Sequence, residues 1–368
     1  MSAFGNRSRL SRRKHFAAGA ALAGAAALVT CGPKSPMDGP AGLATGDAQG
    51  SGSNGSTADR HRTGAAANLA GRLLYVGDSD IWLWQQGNAR RLTRDRVSRQ
   101  PAWSPDGQQI AHVKIDVNSS ELWVMDADGA NSRQLTHNYS SERVRNNWAF
   151  RPVWWPDGTR LLYLTEETTH DLMLWQITLD GRTRRPFLTI PDMEGGIDMP
   201  SISPDGTRLA IVTYRGPGVR SQVWTYTLPN GPWRQLTEWP DGAYDPAWSP
   251  DGTRLAYTRR HDGRHDVWLM DADGANPQPV TESGAARAPC WSPDGRSLAF
   301  ISAETGGFDL WVAPVPLPLP PLPAPTATAA TAPAAGGARA GKAKLPAARQ
   351  LTRGADLDAV SGLSWTTE

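Results

Sequence analysis

The run His261-Asp262-Gly263-Arg264-His265 places two imidazoles and a carboxylate within five residues, and His170 with Glu166 and Glu167 offers a second set of the same types. Imidazole nitrogens and carboxylate oxygens ligate zinc and related ions, and the same groups serve as general acids and bases. The spacing speaks against a metal, because none of the strong zinc patterns occurs and His261-Asp262-Gly263 has the composition of a turn. Acidic links follow at Asp192, Glu194 and Asp198 and at Asp241 and Asp245, where solvated charge is the simplest reading. Asp126-Ala127-Asp128-Gly129 and Asp271-Ala272-Asp273-Gly274 open like calcium loops but lack the later glutamate, so they read as hairpin turns. No Gly-x-Ser-x-Gly elbow, His-Glu-x-x-His pair or Walker loop is present. No metal and no cofactor are therefore expected. What remains is recognition: Trp148, His170, Tyr214, Trp239, Tyr244, Arg259, Arg260, His261 and His265 are the residue types that carry interface energy.

These residues all lie between recurrences of one turn. Trp103-Ser104-Pro105-Asp106-Gly107 returns around Asp157-Gly158, Asp205-Gly206, Asp251-Gly252 and Asp294-Gly295, at proline-to-proline steps of 51, 48, 46 and 43 residues. Proline presets φ, aspartate caps the turn backbone and glycine takes a positive φ, so Pro-Asp-Gly is a tight turn between two extended runs. The flanking runs are short and rich in Trp, Leu, Tyr and Val, as half-buried strands require. In the fourth repeat Asp245–Trp248, Arg254–Tyr257, Asp266–Met270 and Gln278–Thr281 read as four successive strands, and the other repeats keep that order. Four short antiparallel strands per unit of 40 to 50 residues, with no helix between, make a β-propeller blade.

The two chain ends set the blade count. Arg72-Leu73-Leu74-Tyr75 matches a second strand with no first, and Leu363-Ser364-Trp365 matches a first strand with nothing after it. Pairing the C-terminal strand into the N-terminal blade gives an all-β ring of six four-stranded blades without a raw edge. The Trp-Ser-Pro-Asp-Gly turn, the Leu-Ala-Tyr strand after it and the Asp-Ala-Asp-Gly hairpin resemble the repeat of the TolB-type propellers over about residues 72 to 365. That resemblance implies the six-bladed fold.

Ahead of the repeats, residues 1–31 are expected to be a targeting segment. Arg7, Arg9, Arg12, Arg13 and Lys14 precede an apolar run from Phe16 to Val29, the length of a signal peptide rather than a membrane span. Leu28-Val29-Thr30-Cys31-Gly32 resembles a bacterial lipobox, which would make Cys31 the lipidated residue and the membrane anchor. Residues 32–71, rich in Gly, Ser and Ala, form an expected flexible tether with a reach of roughly 35 Å. Residues 72–368 hold the propeller, interrupted at 314–346 by a Pro/Ala-rich insertion. The second cysteine, Cys290, precedes Trp291 on an inner strand and is expected to be a small buried apolar residue. Removing the five basic residues before Cys31 from 38 basic and 36 acidic leaves a net charge of −3, which does not support nucleic-acid binding.

Propeller topology puts the repeated hairpins on one face and the dissimilar second-to-third strand loops and blade-to-blade links on the other. Repetition marks scaffold, and diversity marks a binding surface. The sequence thus points to an extracytoplasmic, lipid-anchored, monomeric propeller that binds a protein or peptide through its variable face. The alternative is a propeller enzyme, a lyase or hydrolase on an envelope saccharide, using His170, His261 and His265 near the channel; some propellers related to the TolB type are oligosaccharide lyases.

Overall fold

A computed structural model of the chain describes residues 69–142, 146–167, 171–188, 196–215, 220–315 and 347–367. All of them fall in one of the chain's two units, residues 55–368; the targeting segment and Cys31 lie outside the described residues. The first blade supplies β1 (Arg72–Gly77), β2 (Asp80–Gln85) and β3 (Asn88–Arg91). Blade 2 is β4 (Ser98–Trp103), β5 (Gln109–Ile115), β6 (Ser120–Asp126) and β7 (Arg133–Gln134). Blade 3 follows with β8 (Phe150–Trp154), β9 (Arg160–Thr165), β10 (Met173–Thr178) and β11 (Arg184–Leu188). In blade 4 the strands are β12 (Ile197–Ile202), β13 (Arg208–Arg215), β14 (Arg220–Thr227) and β15 (Trp233–Gln235). Blade 5 is built from β16 (Ala243–Trp248), β17 (Arg254–His261), β18 (Arg264–Asp271) and β19 (Gln278–Pro279). Blade 6 has β20 (Ala286–Trp291), β21 (Ser297–Ser302), β22 (Asp309–Pro314) and β23 (Arg349–Gln350). The last strand, β24 (Ser364–Thr366), pairs antiparallel with β1, so the blade order is β24-β1-β2-β3 and the ring closes as the two chain ends suggested. The innermost strands touch in the cycle β24, β4, β8, β12, β16, β20 and back to β24.

Three devices recur around the ring. The first, in blades 2 to 6, is the turn between the two inner strands. Ser203 Oγ donates to Asp205 Oδ1 at 2.5 Å, the same carboxylate accepts Thr207 N at 3.0 Å, and Arg208 N donates to Ser203 Oγ at 2.9 Å. These donors, the Ser203 hydroxyl first, hold the Asp205 carboxyl down at about 2. Asp106, Asp251 and Asp294 repeat the geometry with Ser104, Ser249 and Ser292, whereas Asp157 uses Thr159 because Trp155 stands in the serine's place. The second, in blades 2, 3, 5 and 6, is the tryptophan before the turn, whose indole N–H reaches an inner strand of the preceding blade: Trp154 donates to Ala102 O at 3.0 Å and Trp291 to Ala247 O at 3.0 Å, whereas blade 4 has Ile202 at this place. An arginine covers it, as Arg72 covers Trp103 at 4.5 Å and Arg208 covers Trp248 at 4.4 Å. The third is a cross-strand pair in the middle of each sheet: Tyr75–Trp82, His112–Trp123, Tyr163–Trp175, Ile211–Trp224, Tyr257–Trp268 and Phe300–Trp311.

A clamp closes the outer strand in five blades. Thr93, Thr136, Thr237, Thr281 and Thr352 each accept a backbone N–H from the third strand and donate the hydroxyl to Asp80, Glu121, Gln222, Asp266 or Asp309. Blade 3 has Met173 where the acceptor would stand.

The blades reach further than the repeat pattern suggested. Leu69 is already core, and Trp365 Nε1 donates to Ala70 O at 3.1 Å, so the expected tether gives way to the fold before residue 71. At the insertion, Pro314 still pairs with Ser297, and Val315, 5% exposed, donates its N–H to Arg296 O. Residues 316–346 of the insertion lie outside the described residues. The turn glycines also yield a stability comparison. Gly107 and Gly158 have φ of +68° and +72°, so alanine at either costs about 1 kcal/mol in backbone strain. A Cβ on Gly158 meets nothing within 4 Å, but on Gly107 it falls 2.7 Å from Arg72 Nη2, the atom that donates to Gly107 O. Urea melts should therefore place Gly107→Ala about 1 kcal/mol below Gly158→Ala, the value of the displaced hydrogen bond.

Candidate binding face at the channel mouth

The innermost strands enter the ring from the variable face, and each is kinked near that end. Register shifts at Arg99/Ala102, Phe150/Val153, Asp198/Ser201, Tyr244/Ala247 and Arg287/Cys290 mark a bulge in five blades. The bulged residues Gln100, Arg151, Met199, Asp245 and Ala288 have φ between 51° and 55°, in the left-handed region that non-glycine residues enter at a cost. A proline follows every one, and in the blade closed by β24 the matching position is Gly362, with φ of 71°. A bulge frees a backbone N–H that must find another acceptor. At three of the five, the side chain of the preceding blade's bulge supplies it: Gln100 Oε1 accepts Arg151 N at 2.7 Å, Met199 Sδ accepts Asp245 N at 3.2 Å, and Asp245 Oδ2 accepts Ala288 N at 3.3 Å, while Met199 N donates to Asp198 Oδ1 at 2.7 Å in its own strand. Blades 3 and 4 are tied by Arg151 Nε to Asp198 Oδ1 at 3.4 Å, and Arg151 Nη1 also donates to Val360 O. These bonds interlock neighbouring blades around the mouth.

Around that ring the variable face is apolar at chosen points. Among the described residues the exposed large hydrophobics are Val117, Tyr139 and Val360, at 86%, 66% and 40% exposure. All three belong to second-to-third strand loops or blade-to-blade links. Tyr139 is fixed by its backbone, since Glu121 Oε1 accepts both Asn138 N at 2.6 Å and Tyr139 N at 3.0 Å. Trp148, half-buried in the same link, stacks on Phe150 with ring centroids 5.9 Å apart and planes 5° from parallel. The side chains of Tyr139, Trp148 and Phe150 thus present an ordered aromatic ledge beside the mouth of blades 2 and 3.

On blades 4 and 5 the Arg259 guanidinium lies 3.7 Å from the Trp239 ring centroid and 4.5 Å from that of Trp268. Burial lowers its pKa from the ordinary arginine value. A cavity of about 180 Å³ opens beneath, lined by Leu236, Trp239, Tyr257 and Met270, and burial raises the Tyr257 hydroxyl to about 12. Tyr244 is half-buried opposite Thr258. Arg260 stands opposite His265 across the β17–β18 hairpin, both half-buried. The exposed His261 contacts Asp241 and Asp262, with Nδ1 at 3.8 Å and Nε2 at 3.3 Å from a carboxylate oxygen. Those three residues each bring one ligand atom within 4.8 Å of the others, at an open hairpin tip where nothing excludes water. His265 is not in that group, so the two imidazoles of the run do not converge.

Several expectations fall elsewhere. His170 lies outside the described residues, and Tyr214 is in β13 with Ser221 as its strand partner. Glu167 is held by Arg184 at 2.5 Å rather than free for a metal. Cys290 is half-buried, not fully buried as expected, because its inner strand borders the channel; burial still raises the thiol to about 12. The sequence reading passed over Val117, Tyr139, Phe150 and Arg287. Position relative to the repeat was the available sign for each, since all four sit in or next to the dissimilar links.

The sequence profile of the TolB β-propeller domain matches residues 194–316, and that of the lipoprotein LpqB β-propeller domain matches residues 89–232. With six four-stranded blades in a closed ring, these matches decide the type. The chain carries a TolB-like six-bladed propeller. Its repeats are 28% identical over 217 residues to the Tol-Pal system protein TolB of Anaeromyxobacter dehalogenans, covering 55% of this chain and 44% of that protein. An uncharacterized protein of Agrobacterium fabrum is 29% identical over 143 residues, covering 38% and 45%. The chain spans less than half the length of these curated relatives. The crystal structure of TolB from Acinetobacter baumannii superposes with a TM-score of 0.57 at 20% identity, over 66% of this chain and 61% of that one, a likeness of fold.

Proposed function

We propose that this TolB-like propeller is a protein- or peptide-binding scaffold that docks its partner on the variable face around the channel mouth. The observation that carries the reading is the segregation of exposed apolar side chains: Val117, Tyr139 and Val360 all stand on the face that varies. Isolated exposed apolar residues are ordinary, but their confinement to one face beside the Trp148–Phe150 stack is the pattern of an interface centre. Trp239, Tyr244, Arg259, Arg260, His261 and His265 border the same mouth and complete the surface. The N-terminal 31 residues, the lipobox-like Cys31 and the 32–71 tether support display outside the cytoplasm on a bacterial membrane, as a monomer held by its lipid. A mature net charge of −3 fits a protein partner better than nucleic acid.

Capture of envelope proteins on immobilised full-length chain tests this. Val117→Ser with Tyr139→Ser should weaken retention of a specific partner by about tenfold or more, as loss of apolar anchors does. The melting temperature should stay within about two degrees, since both side chains are exposed. Unchanged retention of every captured protein would remove the variable face from the account.

A further inference from the structure

Arg99 and Arg287 occupy equivalent places, each the last residue before the bulge of an inner strand. Arg99 is neutralised: its Nε lies 3.4 Å from Asp358 Oδ2, and its Nη1 donates to Ser79 O at 2.6 Å. Arg151, one residue further along in blade 3, is tied to Asp198 and Val360 O in the same way. Arg287 has no such partner. Among the described residues its guanidinium makes neither an ion pair nor a hydrogen bond, and it rests 4.7 Å over the Phe308 ring, which fixes its direction and leaves its N–H edge free.

The surroundings of Arg287 concentrate positive charge. His265 N donates to Gly284 O at 3.0 Å and His265 bridges Ala285 in parallel, so the imidazole sits beside the strand that carries Arg287 two residues on. Arg260 faces His265 across its hairpin, and it too makes no ion pair or side-chain hydrogen bond among the described residues. The nearby carboxylate is Asp245, whose Oδ2 is already occupied by Thr258 Oγ1 at 2.9 Å and by Ala288 N. Three half-buried cationic or protonatable groups from β17, β18 and β20 therefore meet at the seam of blades 5 and 6, with the engaged Asp245 carboxylate near His265. Burial first, then Arg287 and Arg260, lower the His265 pKa against the opposing effect of Asp245. An imidazole in such a field gains protons when an anion enters.

We propose that the blade 5–6 edge of the channel mouth is a carboxylate-binding site, in which the free guanidinium edges of Arg287 and Arg260 take the two oxygens beside the His265 imidazole. Guanidinium groups match a carboxylate in planar, paired hydrogen bonds, and the aromatic support of Arg287 reduces the entropy lost on binding. The site stands independently of the apolar ledge on blades 2 and 3, so either can fail alone.

The test is imidazole NMR on the full chain with labelled histidine, His265 being assigned by His265→Asn among the seven histidines. Succinate is titrated at constant ionic strength against sodium chloride. Saturable binding should raise the His265 pKa by about one unit, the effect of one close opposite charge. Arg287→Gln and Arg260→Gln should each weaken succinate binding by about tenfold, as loss of a charge-assisted hydrogen bond does. A non-saturable shift, one that chloride reproduces, or one that survives both arginine variants overturns the proposal. A peptide ending in Asp-Glu that competes with succinate would identify a protein-borne carboxylate as the ligand. A peptide that does not compete, with succinate still bound, would identify a small dicarboxylate.

Discussion

A chain ending at Gly362 should melt about 10 °C lower than the full protein and should self-associate. The missing residues supply β24, which pairs Ser364, Trp365 and Thr366 with Leu74, Leu73 and Arg72. They also supply Ser364 Oγ, which accepts Trp103 N at 2.9 Å, and the Trp365 indole, which bonds Ala70 O and packs in the cluster of Leu69, Leu73 and Leu351. A partly buried tryptophan and a few hydrogen bonds are together worth about 5 kcal/mol, and at this chain length each kcal/mol shifts the midpoint by about 2 °C. Beyond stability, the truncation exposes β1 as an inner edge next to the fully buried Leu73, Leu74 and Tyr75, and an open apolar edge recruits other chains. A synthetic peptide of residues 359–368 added in trans should recover part of the midpoint and suppress association. An unaltered melting curve and a monomeric truncated chain would show that closure by β24 does not hold the ring.

Acid should destabilise the protein through the fully buried His112. His112 occupies the blade-centre position held by tyrosine in blades 1, 3 and 5, is fully buried, and has no hydrogen-bond partner at either ring nitrogen among the described residues. Burial, reinforced by Lys114, lowers its pKa from 6.5 to about 3. The unfolded chain takes the proton near pH 6.5 while the native chain resists until about 3, so between those values the unfolded state holds the extra proton and stability falls as pH falls. The loss approaches about 1.4 kcal/mol per pH unit within that window. His112→Phe puts in the side chain that blade 6 uses at this position, Phe300. Denaturant melts of the variant should be within about 1.5 kcal/mol of wild type at pH 7.5. At pH 5 the variant should lead by about 2 kcal/mol more than it does at pH 7.5. Parallel pH curves for the two proteins would mean that His112 finds a proton acceptor or water.

The fold was legible because its chemistry is local. Pro-Asp-Gly needs no tertiary partner to make its turn, and five copies at a drifting period gave strands, blades and ring closure before any contact was known. The same locality hid the mouth. Gln100, Arg151, Met199, Asp245 and Ala288 share no side-chain chemistry, and a left-handed backbone at non-glycine residues carries no compositional sign. Their common mark was the proline after each, visible in the sequence but naturally read as part of an inner strand. The threonine clamp was likewise present as Leu-Thr or Val-Thr after Asp-, Glu- or Gln-x-Trp, yet its meaning depends on two strands lying side by side. For the candidate site, the variable loops were separable from the scaffold by repetition alone. Which members act was not: Arg287 differs from Arg99 because Asp358, distant in sequence, neutralises one and not the other. The ligand-like run at 261–265 failed for the same reason, since the hairpin turns His261 toward Asp241 and sets His265 against Arg260.

The most direct measurement of the docking account is site-specific photo-crosslinking in the native envelope. A photoreactive residue is placed at Val117 or Tyr139 on the variable face and, for comparison, at Thr207 or Asp128 in the repeated hairpins of the opposite face. The account predicts a discrete crosslinked protein from both variable-face positions and none from the hairpin positions. Crosslinks from Thr207 and Asp128 alone would contradict it and move the interface to the repeated face.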